Sequence, residues 1–324
     1  MFYEINPLDT LFFRGSTPME AGQNVAVSLF PPPVSVFEGT LRTAVLQQQN
    51  IDFNDYTSGK NNSLNEFIGN PGEKPPFEVT CIMIKKENKF FVPVPATWFL
   101  DSESKPKQKN DYLSKKIIVA KNYQKEFEKL SVMSSEEKLP YIRAEKNAQP
   151  LGSIWISVDF INSSSNEFGR DDFLLQSEIL SFEHRTGIGL DANKHTVEGQ
   201  LYSSTHIRLL PDVSIVVGIS KDIKLNETGK LYLGGEKRIC YYKRITENIL
   251  DSLYKKISDQ YFSLVPIEAT EENLECLVAS AKLTTTAGWD LAKGFHKPTT
   301  NWIPAGAVFN KKINNSCVAI TQTK

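Results

Sequence analysis

The sequence predicts an α+β fold that opens as a ferredoxin-like (RRM-like, βαββαβ) unit. Three observations predict it: a strand-like start over Met1–Leu8, an amphipathic helix after Pro31-Pro32-Pro33, and a β-hairpin between Phe77 and Val94. Strand, helix and hairpin in that order are the first three-quarters of such a unit. The opening strand mixes apolar and polar residues. A loop with Gly15, Pro18 and Gly22 follows it, and the three prolines after that are extended. Ser35 and Glu38 have the spacing of a capping box, and Phe37, Leu41 and Val45 repeat at four-residue intervals, with Ala44 and Leu46 widening the stripe. Gly39 inside this helix costs about 1 kcal/mol relative to Ala, which points to close packing on a sheet or the approach of a phosphate. Phe77–Ile84 and Lys89–Val94 are β-rich and are joined by a polar turn, hence the hairpin.

Beyond the hairpin, residues 102–146 are Lys-rich and read as a solvated insertion, with Lys116–Lys129 partly helical. The second half is again β-rich. Ser153–Phe160, Leu209–Ile219, Leu231–Leu233, Arg238–Tyr242, Lys282–Thr286 and Ala307–Lys312 read as strands, and Leu174–Leu180 and Glu271–Ala281 as helices. The polar stretch Asn162–Gly169 is a candidate boundary, giving an N-terminal domain over 1–160 that carries the Lys-rich insertion and a C-terminal domain over 161–324.

Composition narrows the function classes. Basic and acidic residues number 37 and 38, for a net charge of -1, so no long-range positive field attracts polyanions. Any nucleic-acid binding must rest on local basic patches, backbone N–H groups and neighbouring subunits. The start lacks the pattern of a secretory signal and no stretch is long and apolar enough to span a membrane, so the expected compartment is the cytoplasm. Cys81, Cys240, Cys276 and Cys317 are dispersed without CxxC spacing, and His184, His195, His206 and His296 form no HxxxH or HExxH. Neither a metal site nor another cofactor is expected.

What remains is glycine beside basic residues in four places: Phe13-Arg14-Gly15, His184–Leu190 with Arg185, Gly187 and Gly189, Leu233-Gly234-Gly235-Glu236-Lys237-Arg238, and Gly288–Gly294 with Trp289 and Lys293. Glycine lets a backbone present its N–H groups to a phosphate, an adjacent Arg or Lys adds a charge-assisted contact, and Trp289 is of a type that stacks on an unpaired base. Each also has a structural reading: Gly234-Gly235 as a hairpin turn, Trp289 as core. From the residues alone this is a soluble α+β protein with several glycine–basic loops.

The same segments resemble the third subunit of the type III-B CRISPR (Cmr) effector complex, a family of the RAMP superfamily. The resemblance rests on Asn6–Gly15, on Phe30–Ala44 with its G-T-L-R-T-A run, and on Arg185–Leu190 followed by Gly199-Gln200-Leu201-Tyr202. It continues through Leu233–Arg238 and ends at Gly288–Lys293 with Ile303–Val308. Two departures stand out: Lys237 where another glycine is usual, and Val34–Val36 in place of a proline-and-serine run. The resemblance implies two ferredoxin-like units with large loop and helical insertions. It also implies a non-catalytic subunit that holds the 5′ handle of the CRISPR RNA, docks the large Cas10-type subunit and abuts the backbone RAMP subunits. The RNA-binding candidates are then Arg14, Gly15, Arg42, Arg185, Gly187, Gly234, Gly235, Lys237, Arg238, Trp289, Lys293 and His296. The competing readings are a metal-independent endoribonuclease that processes precursor CRISPR RNA through one histidine, and a scaffold that touches only protein.

Overall fold

The computed structural model describes residues 1–15, 25–122, 140–141, 147–152, 154–191, 193–287, 289–290, 295–296 and 298–320. The chain is mixed α+β, rich in strands and poor in helices. It forms two compact units that are not consecutive in sequence. Unit 1 comprises Met1–Glu87, Ile179–Glu247 and Thr284–Trp302; unit 2 comprises Asn88–Glu178, Asn248–Leu283 and Ile303–Lys324. Both units draw on residues from either side of position 160, and the stretch Asn162–Gly169 lies inside unit 2.

Unit 1 contains β1 (Phe2–Pro7), β2 (Val25–Val27), α1 (Val34–Gln48), β3 (Val79–Lys86), β4 (Leu180–Leu190), β5 (Thr196–Leu209), β6 (Val213–Ile219), β7 (Thr228–Tyr232) and β8 (Ile239–Ile245). Five of these strands stand in the order β3–β6–β1–β8–β7, every neighbouring pair antiparallel. Four of the five, β8–β1–β6–β3, have the 4-1-3-2 order of a βαββαβ unit, with β7 in the connection where that pattern has its second helix. The alternation of side chains gives the sheet a buried face: Tyr3, Ile5, Ile82, Ile84, Ile215, Val217, Leu231, Cys240 and Tyr242 are all buried. Helix α1 contributes Phe37, Leu41, Ala44, Val45 and Leu46 to the core, and Thr40 Oγ1 donates to the Tyr232 carbonyl at 2.9 Å.

The helix begins two residues earlier than the capping-box spacing requires. Pro33, in extended conformation at ψ 144, is its N-cap, and no side chain caps it. Ser35 is therefore already helical and the Ser35–Glu38 box does not form. Gly39 is not closely approached either: a Cβ built there meets nothing within 4 Å.

A second sheet in unit 1 is the long antiparallel hairpin β4–β5, with β2 pairing in parallel to Ser203–Thr205. The segment around Gly187 is thus a strand and not a loop. Gly187 faces Tyr202 across the ladder, and an added Cβ would lie 2.1 Å from the tyrosine ring. An aromatic ring fills the space that the sequence assigned to a ligand.

Unit 2 carries shorter sheets. One places Phe173–Leu174, Trp155–Ser157 and Lys89–Pro93 side by side; a second has the order Ile117–Val119, Trp98–Asp101, Ala148–Pro150. A third runs Leu277–Ala279, Val308–Phe309, Tyr261–Ser263, Cys317–Ala319. Tyr112, Phe160, Phe168 and Phe173 form one aromatic cluster, and Ile267, Cys276, Ile303, Ala307, Phe309 and Cys317 pack together as a hydrophobic cluster.

Several expected helices are replaced here. Leu174–Leu180 is a strand end, a 3-10 turn and the start of β4. Lys116–Lys129 is extended over 117–122, and the rest lies outside the described residues. Glu271–Glu275 is helical but Leu277–Ala279 is a strand, and the strand expected over Ser153–Phe160 turns into the helix Val158–Asn162. In 117–119 the β-branched Ile-Ile-Val run, and in 277–279 the β-branched Val278, favour pairing over the helix that flanking polar residues suggested. Two lysines of the Lys-rich segment are internal fixtures: Lys109 pairs with Glu178 at 2.8 Å, and Lys115 donates to Ser102 Oγ at 2.7 Å. The four cysteines are free and buried, and burial pushes the Cys81 and Cys240 thiols up to about 12.

Candidate nucleic-acid interface

Three of the four glycine–basic segments meet in unit 1. The loop after β1 is stapled to β5 by two backbone hydrogen bonds, Leu11 N–H to Ile207 O at 2.7 Å and Ile207 N–H to Leu11 O at 2.8 Å. The turn between β7 and β8 closes on the same loop, with Gly235 N–H donating to Phe12 O at 2.8 Å. Gly234 has φ 76, and a Cβ there would lie 2.6 Å from that same Phe12 oxygen. Only glycine satisfies both conditions. Glu236 and Lys237 follow with φ 61 and 50, a conformation ordinarily left to glycine. The lysine at 237 keeps the turn that a glycine would make and adds an exposed charge. Arg14 is exposed beside Gly15, in a bridge with Ser28.

On this frame sits a dense charge cluster. Asp9 receives Arg208 at 3.0 Å and Arg238 at 2.8 Å, with Arg185 at 3.9 Å. Glu183 pairs with Arg208 and lies 3.6 Å from Arg185, while Glu236 pairs with Arg238. Arg185 also donates to Thr10 Oγ1 at 2.8 Å. The Thr10 N–H, then Arg208 and Arg238, hold the Asp9 carboxyl below its ordinary range; Arg208 does the same for Glu183. His206 is 1% exposed beneath the cluster, stacked on Phe12 with ring centroids 5.0 Å apart. Burial, then the Arg185 charge, lowers its pKa, so it is held neutral. Its Nδ1 and the Nε of Arg238 are buried and find no partner among the described residues. Arg208 and His206 were not singled out from the sequence. The two-residue alternation of β5 opposite Arg185 was the available signal, and it is usable only once β4 and β5 are paired.

Other expected residues lie elsewhere. Arg42 donates to the Asn70 carbonyl at 2.5 Å, the Glu73 carbonyl at 3.0 Å and the Tyr56 hydroxyl at 3.0 Å, clamping the segment after α1. Trp289 and His296 face each other in a two-stranded ladder. Their side chains, together with Gly288 and Lys293, lie outside the described residues. No cluster of metal-ligating side chains occurs among the described residues, and no helix there is long and apolar enough to cross a membrane.

The fold and cluster define the class: a strand-rich α+β protein whose charge-bearing loops gather at one end of a ferredoxin-ordered sheet. The family described as CRISPR-associated protein (Cas_Cmr3) matches residues 3–262, and the chain belongs to it. Solved structures share the chain's fold, among them two chains of the type III-B Cmr-beta complex seen by cryo-electron microscopy. The one bound to cognate target RNA and AMPPnP is 17% identical with a TM-score of 0.54; the one bound to cognate target RNA is 18% identical with a TM-score of 0.52. Both alignments cover 95% of this chain and 86% of the other. No relative among curated proteins matches the chain.

Proposed function

We propose that this subunit holds the 5′ handle of the CRISPR RNA through the loops around Asp9, Arg185 and Arg238, without catalysis of its own. In this reading it also docks the large Cas10-type subunit and abuts the backbone RAMP subunits in the cytoplasm, for antiviral defence. The implied plan is two ferredoxin-like halves, over 1–160 and 161–324. The observation that carries the proposal is the convergence of Asp9–Phe12, Arg185 and Gly234–Arg238 on one patch of unit 1. Half-exposed carboxylates hold the arginines there, and a phosphate offers the same bidentate geometry. Lys237, exposed on its positive-φ turn, supplies further charge. A chain with net charge -1 then binds RNA through local contacts and subunit neighbours.

The test is the double substitution Lys237→Ala, Arg238→Ala in the assembled complex. The reading expects weaker retention of the guide RNA 5′ end with subunit assembly intact. Unchanged retention overturns it. Site-specific cleavage of repeat RNA by the purified chain in EDTA, lost on changing one histidine to Ala, would replace it with the endoribonuclease.

A further inference from the structure

The five-stranded sheet of unit 1 has a second face, opposite the one packed with Tyr3, Ile5 and Tyr242. On its β8–β7 side this face is open. Tyr232, Ile239 and Tyr241 are 39%, 42% and 45% exposed, and the side chains of Lys230 and Lys243 are exposed with them. The register places these residues together: Tyr232 is opposite Ile239, Lys230 opposite Tyr241, and Asn6 on β1 opposite Tyr241 on its other side. Lys230 Nζ lies 5.6 Å from the centre of the Tyr241 ring. Tyr232 and Tyr241 are diagonal neighbours on adjacent strands, roughly 7–8 Å apart at the backbone.

We infer that this open face is a second single-stranded RNA platform, on which Tyr241 and Tyr232 each stack one base while Lys230 and Lys243 meet the flanking phosphates. Three observations favour RNA over a protein partner. First, Lys230 and Lys243 face solvent without an ion pair among the described residues; Lys243 stands opposite Glu4 on β1, but that carboxylate is already held by Lys85, so the patch leans positive and suits a polyanion. Second, the patch is continuous with the arginine cluster. Arg238 immediately precedes Ile239, and Leu8, next to Asp9, donates its N–H to the Ile239 carbonyl at 3.1 Å. Arg238 and Ile239 are consecutive, so the cluster and the platform lie about one residue's rise apart along the chain. Third, the far side of the same sheet repels a polyanion. Glu4, Glu87 and Asp212 line a recess there with Asn6, Ser214 and Lys85, and Lys85 is already paired to Glu4 at 2.7 Å. The acidic recess therefore bounds the platform at Asn6. Two exposed aromatic rings on neighbouring strands are a sequence-tolerant arrangement, because every base has a π-face. The platform would thus take nucleotides whatever their identity.

The inference rests on the RNA-binding reading above but on different residues, so the two can be separated. The full chain is titrated with a single-stranded octauridine RNA, with Tyr241→Ala, Tyr232→Ala, Tyr241→Phe and the Lys237→Ala, Arg238→Ala double variant compared. All the tyrosine changes are on an exposed face, so circular dichroism should show an unchanged fold. The expected result is a roughly five- to hundredfold loss of affinity for each Ala variant, with Tyr241→Phe retaining binding. If both Ala variants bind as the parent does while the double variant fails, the platform is wrong and the cluster reading stands. If the Ala variants lose affinity and the double variant does not, the platform stands and the cluster reading falls. Should the Ala variants keep RNA affinity but lose a neighbouring subunit on co-purification, the face docks protein and the inference is overturned. If the isolated chain binds no RNA, the assembled complex with a 4-thiouridine guide decides, and the absence of crosslinks at Tyr232 and Tyr241 overturns it.

Discussion

Arg42 and Arg238 were equal candidates in the sequence, and the structure uses them in opposite ways. Arg42 is satisfied by two backbone carbonyls and a tyrosine hydroxyl, all neutral and all belonging to one short segment. Arg238 is paired through its two terminal nitrogens with carboxylates that are 46% and 51% exposed. Carbonyl partners of this kind are fixed by the chain path, so the guanidinium acts as a staple. Exposed carboxylates are exchangeable, because an incoming phosphate replaces like with like and the displaced acid returns to water. A paired arginine is therefore no evidence against ligand binding; what matters is what it is paired with.

The largest effect should come from the turn that carries Arg238, which packs on the Phe12 carbonyl. Gly234→Ala places a methyl group against the Phe12 carbonyl at a left-handed φ and should cost about 2–4 kcal/mol in total, read as a drop in Tm. A stable variant would mean the turn relaxes freely, and the cluster would lose its fixed geometry. Arg42→Ala comes next, at about 1–3 kcal/mol, from polar groups left without a partner. It should leave guide-RNA retention unchanged in the assembled complex; a loss of RNA without a loss of stability would erase the distinction from Arg238.

The smallest effect is the pH response of the cluster. His206 is held neutral below its ordinary pKa of about 6.5, so the unfolded chain takes up a proton that the folded one refuses. Stability should be full above about pH 6.5 and decline as pH falls towards the folded value. Asp9 and Glu183, also lowered, add a further loss below their ordinary values, as the pH falls through their folded pKa values. Thermal melts between pH 7.5 and 2.5 check this, and His206→Gln should flatten the first decline while leaving the second.

Much of unit 1 was legible because its signals are local. The strand at Phe2–Pro7, the helix after three prolines and the strand at Val79–Lys86 follow from alternation and four-residue periodicity within short windows. The Gly234-Gly235 turn was legible for the same reason. The hairpin β4–β5 was not, because Gly187 and Gly189 punctuate it like a loop. Its register is fixed instead by Tyr202 lying over Gly187, a contact that no window of sequence contains. The short elements of unit 2 failed for a related reason: strands of two or three residues are made by their partners and carry little pattern of their own. At the candidate site, Arg185 and Arg238 were visible through their glycines. Asp9, Glu183, Arg208 and His206 were not, since their role is set by distant pairings of β1, β4, β5 and β8.

The most direct measurement is photo-crosslinking in the assembled complex from a guide RNA labelled at its first few 5′ nucleotides, with peptides mapped on this subunit. The account predicts crosslinks in the segments 9–15, 183–187 and 234–238 and none in 56–73, where Arg42 is held. Crosslinks confined to residues outside those three segments, or 5′ labels that reach only other subunits, would contradict it.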